Sequence, residues 1–137
     1  MADGPALALQ KALVAALKAD AGVSGLVGAR VYDEPPQHVT FPYVRIGVLD
    51  VAPLRMSGDC LDDDIVFSIE AHSRPVAGRV EATHIAHAVR VALDDASLTV
   101  TGYRLDWCQW TTQAVTRGSD GVSYIANVAF QAALSPT

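Results

Sequence analysis

The sequence predicts an α+β fold in which two helices pack on a mainly antiparallel four-stranded sheet, in the order α-β-β-α-β-β. Three observations carry that prediction. Two segments repeat apolar residues at helical spacing, one around Leu9, Leu13, Val14 and Leu17 and the other around Ile85, Ala88, Val89, Ala92 and Leu93. Two others alternate at a period of two, Ile65, Phe67, Ile69 and Ala71 in one and Tyr124, Ala126, Val128, Phe130 and Ala132 in the other. Between the last two extended runs lie Arg117, Gly118, Ser119, Asp120 and Gly121, a segment with two glycines and no apolar side chain.

The first helix is predicted from Pro5 to about Ala21, with Asp3 as N-cap, Pro5 in the first turn and Gly22 as the stop. Arg30 to Asp33 reads as a short extended piece. Pro35 and Pro36 then deny the chain a helix, and Pro42 holds Phe41 out of the helical region as the chain enters the next strand. Strands are predicted from Tyr43 to Val51 and from Asp64 to His72. The second has its apolar residues on one face and Ser68, Glu70 and His72 on the other, the pattern of a sheet covered on one side. Ala52 to Asp63 reads as a charged loop too long for a tight hairpin. The second helix runs from about Val76 to Asp94, with Arg79, Glu81 and Arg90 toward water. Tyr103 to Val115 and Val122 to Leu134 then form a hairpin.

With 137 residues, half of them apolar, the chain reads as one domain, residues 1–137, able to bury a core without metal or disulfide staples. Ten basic against fifteen acidic residues leave a formal charge of −5, the wrong sign for gripping nucleic acid through its phosphates. An acidic protein still suits surrounding DNA that must stay mobile. The alanine-rich first segment is interrupted by Gln10, Lys11 and Lys18 and reads as neither a signal peptide nor a membrane span. Cys60 and Cys108 show no metal-ligand spacing; whether they pair is left open by the sequence.

No catalytic constellation emerges. There is no G-x-S-x-G elbow, no Walker or dinucleotide glycine pattern among Gly22, Gly25 and Gly28, and Cys108 lies in mid-strand. Glu81, His84 and His87 advance by threes round their helix, unlike the i, i+4 histidines of zinc proteases. The expectation is therefore a protein without catalytic residues, metal or cofactor. Asp59, Asp62, Asp63 and Asp64 lack the ligand series of a calcium loop; they read either as a solvated loop or as one protruding into a ring lumen or onto a partner ring. Trp107 and Trp110 lie three apart on a strand, hence on opposite faces, so one of them, Trp110 in this reading, is a candidate partner contact. Arg45 and Arg74 read as local ion-pair partners or as contacts to a neighbouring subunit.

The segments LVGARVYD (Leu26 to Asp33), FPYVRIG (Phe41 to Gly47), His72-Ser73-Arg74 before the second helix and ALDDASLTVTGYRL (Ala92 to Leu105) together resemble the tail terminator, or tail-completion, family of long-tailed phages and gene transfer agents. The acidic loop departs from that family's pattern and has no aromatic near Leu54. The resemblance implies a structural particle protein: a homo-oligomeric ring of six subunits at the head-tail junction, assembled in the bacterial host cytoplasm. It would cap the tail tube protein, stop its polymerisation and join it to the head-proximal connector, or stopper, with DNA passing through the lumen. Loops 52–63 and 117–121, bearing Leu54, Arg55 and Arg117, would reach neighbouring rings, and subunits would meet through sheet edges and helix flanks. A neck or head-closure protein is the nearest competing class, and a small-molecule-binding α+β domain a more distant one, distinguished by a pocket with convergent polar groups.

Overall fold

The computed structural model describes residues 4–55, 61–75 and 78–136, with side chains described throughout except at 53–55, 61–62 and 136. It is α+β, as the sequence predicts, but with three helices and five strands among the described residues. The N-cap expected at Asp3, the residues Asp59 and Cys60, and the predicted helix start at Val76 lie outside the described residues.

Helix α1 (Pro5–Ala19) ends earlier than predicted because Asp20 turns extended; its main-chain N–H closes α1 on Ala16 O. Its carboxylate then accepts from Val23 N–H at 3.0 Å and caps a separate helix α2 (Ala21–Val27). Gly22 is thus inside a helix, where a side chain would press on Asp20 and approach Ala88. Gly28, at φ +62°, closes α2.

Strand β1 (Val31–Tyr32) pairs in parallel with the start of β2 (Tyr43–Arg55), which makes the sheet mixed. Two residues are too short to show a period. What fixes them is Arg30, whose carbonyl accepts from Val44 N–H and whose Nε donates to Pro42 O at 2.7 Å. Beyond β2 come β3 (Leu61–Ser73), α3 (Gly78–Leu93), β4 (Tyr103–Arg117) and β5 (Tyr124–Pro136), in the sheet order β1-β2-β3-β5-β4. The described part of the loop predicted over residues 52–63 is strand: Ala52, Pro53, Leu54 and Arg55 pair with Asp64, Asp63, Asp62 and Leu61. Main-chain ladders continue past the core regardless of side-chain charge, so charge alone does not mark where the strands end.

The helices cover one face of the sheet. Leu9, Leu13, Leu17, Val23, Val27, Ile85, Val89 and Leu93 bury against Val44, Ile46, Ile65, Phe67, Ile69, Val128, Phe130 and Leu134. Phe67 and Phe130 stack across β3 and β5 with centroids 5.2 Å apart. Three bulges keep long strands in phase with this core. One lies between Ile46 and Leu49, the others between Leu105 and Trp107 and between Trp110 and Thr112. Each inserts a residue, so β4 points Tyr103 and Leu105, then Cys108 and Trp110, then Val115 toward the helices. Ser68 fills the bulge in β2 by accepting Val48 N–H at 2.9 Å.

Candidate interaction surfaces

At one end of the sheet, the 33–42 bend, the β3–α3 corner and the β4–β5 turn converge on Arg74. Its guanidinium lies 4.1 Å from the Phe41 ring centroid, its Nε donates to Ser123 Oγ at 3.3 Å, and its Nη2 is 3.7 Å from Asp120. Asp120 organises the turn by accepting from Val122 N–H, Ser123 N–H and Ser123 Oγ. Those bonds, the Ser123 hydroxyl first, hold its carboxyl far below the usual carboxylate range. Beside it His72 stacks on Tyr43, with centroids 4.6 Å apart and planes 6° apart, and meets Glu70 at 2.9 Å. The hydrogen bond with His72 draws the Glu70 carboxyl below its ordinary 4.5, against the opposing effect of burial. Arg45 approaches the same Glu70 at 3.9 Å, and Arg117 donates to Tyr124 OH at 2.8 Å, which lowers the Tyr124 phenol. Arg45, Arg74 and Arg117 therefore each have partners within the chain.

The sheet face away from the helices carries, in register, Arg45, Glu70, Asn127 and Ala114 in one row and Asp50, Val66, Gln131 and Gln109 in another. Ala52, Asp64, Ala133 and Trp107 form a third. Gln131 Nε2 donates to both carboxylate oxygens of Asp64, at 3.0 and 3.1 Å. Asp63 and Asp64 thus stand on a strand rather than a free loop. The described backbone places Leu54, Arg55 and Asp62 on hairpin arms that pass the end of the β3–β5 ladder at Asp63 and Leu134. Farther along, Asp106 takes hydrogen bonds from Ser135 and Arg104, which together lower its carboxyl.

Of the two tryptophans it is Trp107 that lies on the uncovered face. Trp110, the contact favoured from sequence, packs against the core with the Arg90 guanidinium 3.9 Å above its ring. The phase set by the bulges decides this, and spacing alone did not. Sequence reasoning also missed Asp94 and Asp95, which close the first half of the β4 edge: Asp94 accepts from Trp110 N–H at 2.9 Å, and Asp95 N–H donates to Cys108 O at 2.8 Å. Their position just past a predicted helix was the available signal.

Two clefts of about 520 Å³ flank that edge. One runs between residues 95–100 and the first half of β4, with Cys108 on its wall. Burial, reinforced by Asp94 and Asp95, pushes the Cys108 thiol up to about 12, which makes it a packing group rather than a nucleophile. The other is an apolar groove lined by Leu26, Thr83, His84, His87, Ala88 and Gln113. Glu81, the third member of the His84 and His87 trio, points elsewhere and accepts from Ser73 Oγ at 2.5 Å. Among the described residues no cluster of His, Cys, Asp or Glu is arranged to hold a metal, and no helix is long and apolar enough to cross a membrane.

Residues 11–135 match the family described as "Tail completion protein gp17". No curated protein matches the chain by sequence. Among solved structures the chain is similar to a protein of the virion of the native gene transfer agent particle, at 30% identity and a TM-score of 0.88, over 98% of this chain and 99% of that one. It also shares its fold with the gp17 protein of bacteriophage SPP1, at 23% identity and a TM-score of 0.60, over 93% and 88% of the two chains.

Proposed function

The chain belongs to the tail completion protein gp17 family, structural components of phage and gene transfer agent particles, and from that premise we propose that it is a ring-forming tail terminator. The ring, six subunits in this reading, caps the last ring of the tail tube, ends its polymerisation and presents its other face to the head-proximal connector. The observation that carries the proposal is the similarity to a gene transfer agent virion protein over nearly the whole of both chains.

The mechanism is binding alone. One end of the sheet carries the β2–β3 arms and the other the Arg74 corner with the β4–β5 turn. The two ends are built from different segments, which suits a ring that meets two different partners. Asp62 on the arms and Asp63 and Asp64 at their base, with the formal charge of −5, suit a lumen through which DNA passes without adhering. Closed symmetry multiplies one modest subunit contact into a platform.

Electron microscopy of particles made without the gene tests the proposal. Overlong, headless tubes are expected. Tails of normal length beside detached heads would reassign the protein to the neck or head-closure class, and intact particles would sink both readings.

A further inference from the structure

The sheet ends in two unlike edges, each half covered. On β4, Asp94 and Asp95 occupy the outward N–H of Trp110 and C=O of Cys108, while the outer side from Thr111 to Arg117 meets no strand among the described residues. On β2, β1 occupies Val44 and Arg45, while the outer side from Ile46 onward meets none. A free strand edge is a row of unused donors and acceptors, and sheets usually blunt it with lysine or proline. Residues 111–117 contain neither.

The two free stretches do not repel each other. The single charged residue of 111–117 is Arg117, and that of 46–52 is Asp50, so no like charges are brought together. Val48 and Val51 are exposed on the β2 side. Beneath the free half of β4 lies the apolar groove with Gln113 on its wall, where inward side chains of an added strand would rest. Resting on the ring reading above, we infer that β2 of one subunit adds to the free half of β4 of the next, antiparallel, so that one sheet continues from subunit to subunit.

The register follows from which halves are covered. Through the ladders Ala114 stands level with Arg45, and Gln109 with Asp50. Two copies at equal height would therefore set the covered part of each edge against the free part of the other. Free meets free only when neighbours are staggered by about five residues, roughly 17 Å along the strand. Because the two edges differ, the contact runs head to tail, the kind that closes into a ring when its rotation permits.

Disulfide trapping in assembled particles tests this, in a Cys60→Ser background. Thr112→Cys with Ala52→Cys, both exposed and too far apart to bond within one chain, should on mild oxidation convert most of the monomer band into a ladder of covalent multimers. Either substitution alone should leave monomer. Dimers from Thr112→Cys alone would show two-fold β4–β4 pairing, and trapping by Ala114→Cys with Arg45→Cys would show unstaggered copies; each overturns the inference. So does monomer in particles with normal, capped tails, an outcome that leaves the terminator reading intact. Failure of the terminator reading is separately visible as normal tails in the gene deletion.

Discussion

Arg74 lies over Phe41 with 4.1 Å between guanidinium carbon and ring centroid, and through Ser123 and Asp120 it ties the proline-rich bend to the β4–β5 turn. These segments are far apart in sequence, so a single side chain sets how one end of the subunit is shaped. Arg74→Ala should lower stability, the lost stacking accounting for about 0.5–1 kcal/mol. Arg74→Lys should recover only part of it, because an ammonium cannot both stack flat and donate sideways. Thermal denaturation of the three proteins checks the order.

Acid should loosen the same end. The hydrogen bond with His72 holds Glu70 below its ordinary 4.5 in the folded chain, so the stabilisation it gives is present above about that pH and disappears as the pH falls through the lowered folded value. Asp120, lowered by Ser123 and Val122, acts in the same direction. Glu70→Gln should therefore be less stable than the natural protein near neutrality and converge with it in acid. Melting temperatures from about pH 7 down to about pH 3 check the convergence; parallel curves would refute it.

Cys108 should resist thiol reagents. Its thiol is buried on the helix face of β4 and pushed up to about 12, so at mildly alkaline pH almost none is thiolate. In a Cys60→Ser protein, labelling should follow global unfolding and accelerate sharply in denaturant. Fast labelling of the native protein would show that the cleft beside residues 95–100 opens.

Much of this architecture was legible in the sequence, and the failures share a cause. Ile85, Val89 and Leu93, or Ile65, Phe67 and Ile69, repeat at the period of their element because one face is buried. Periodicity is silent where burial is not the reason for structure. Asp62 and Leu54 pair because their main chains do, and Val31 and Tyr32, within the extended piece read from Arg30 to Asp33, are too few to show a period although Val31 is buried. Asp20 breaks a helix that composition would continue. Bulges set the phase of β4, so the spacing that puts Trp107 and Trp110 on opposite faces does not say which of them faces the helices. The polar residues of the interaction surfaces were visible as types, but which of them meet was not.

Asp94 tests how far the covered half of the β4 edge matters. Its carboxylate accepts Trp110 N–H at 2.9 Å, and Asp94→Ala would leave that donor with no protein partner. The expected cost is about 1–2 kcal/mol, with Asp94→Asn milder because an amide oxygen still accepts. A change in tryptophan emission should accompany the alanine variant. An unchanged melting temperature would mean that water replaces the carboxylate without loss.

Gly47 and Ser68 should prove coupled. Gly47 opens the bulge in β2, and a methyl group there would run into Ser68 Oγ and come within 3.0 Å of Glu70 Oε2. Ser68 cannot easily withdraw, because its hydroxyl accepts Val48 N–H, which the bulge leaves without a strand partner. Gly47→Ala should therefore cost about 1–3 kcal/mol, as overpacking does. Ser68→Ala removes both the hydrogen bond and the obstacle, so the glycine substitution should cost less in that background than in the natural one. A double-mutant cycle by denaturant unfolding measures the difference. If the two costs simply add, contact with Ser68 is not what keeps a side chain out of position 47, and Glu70 becomes the next residue to vary.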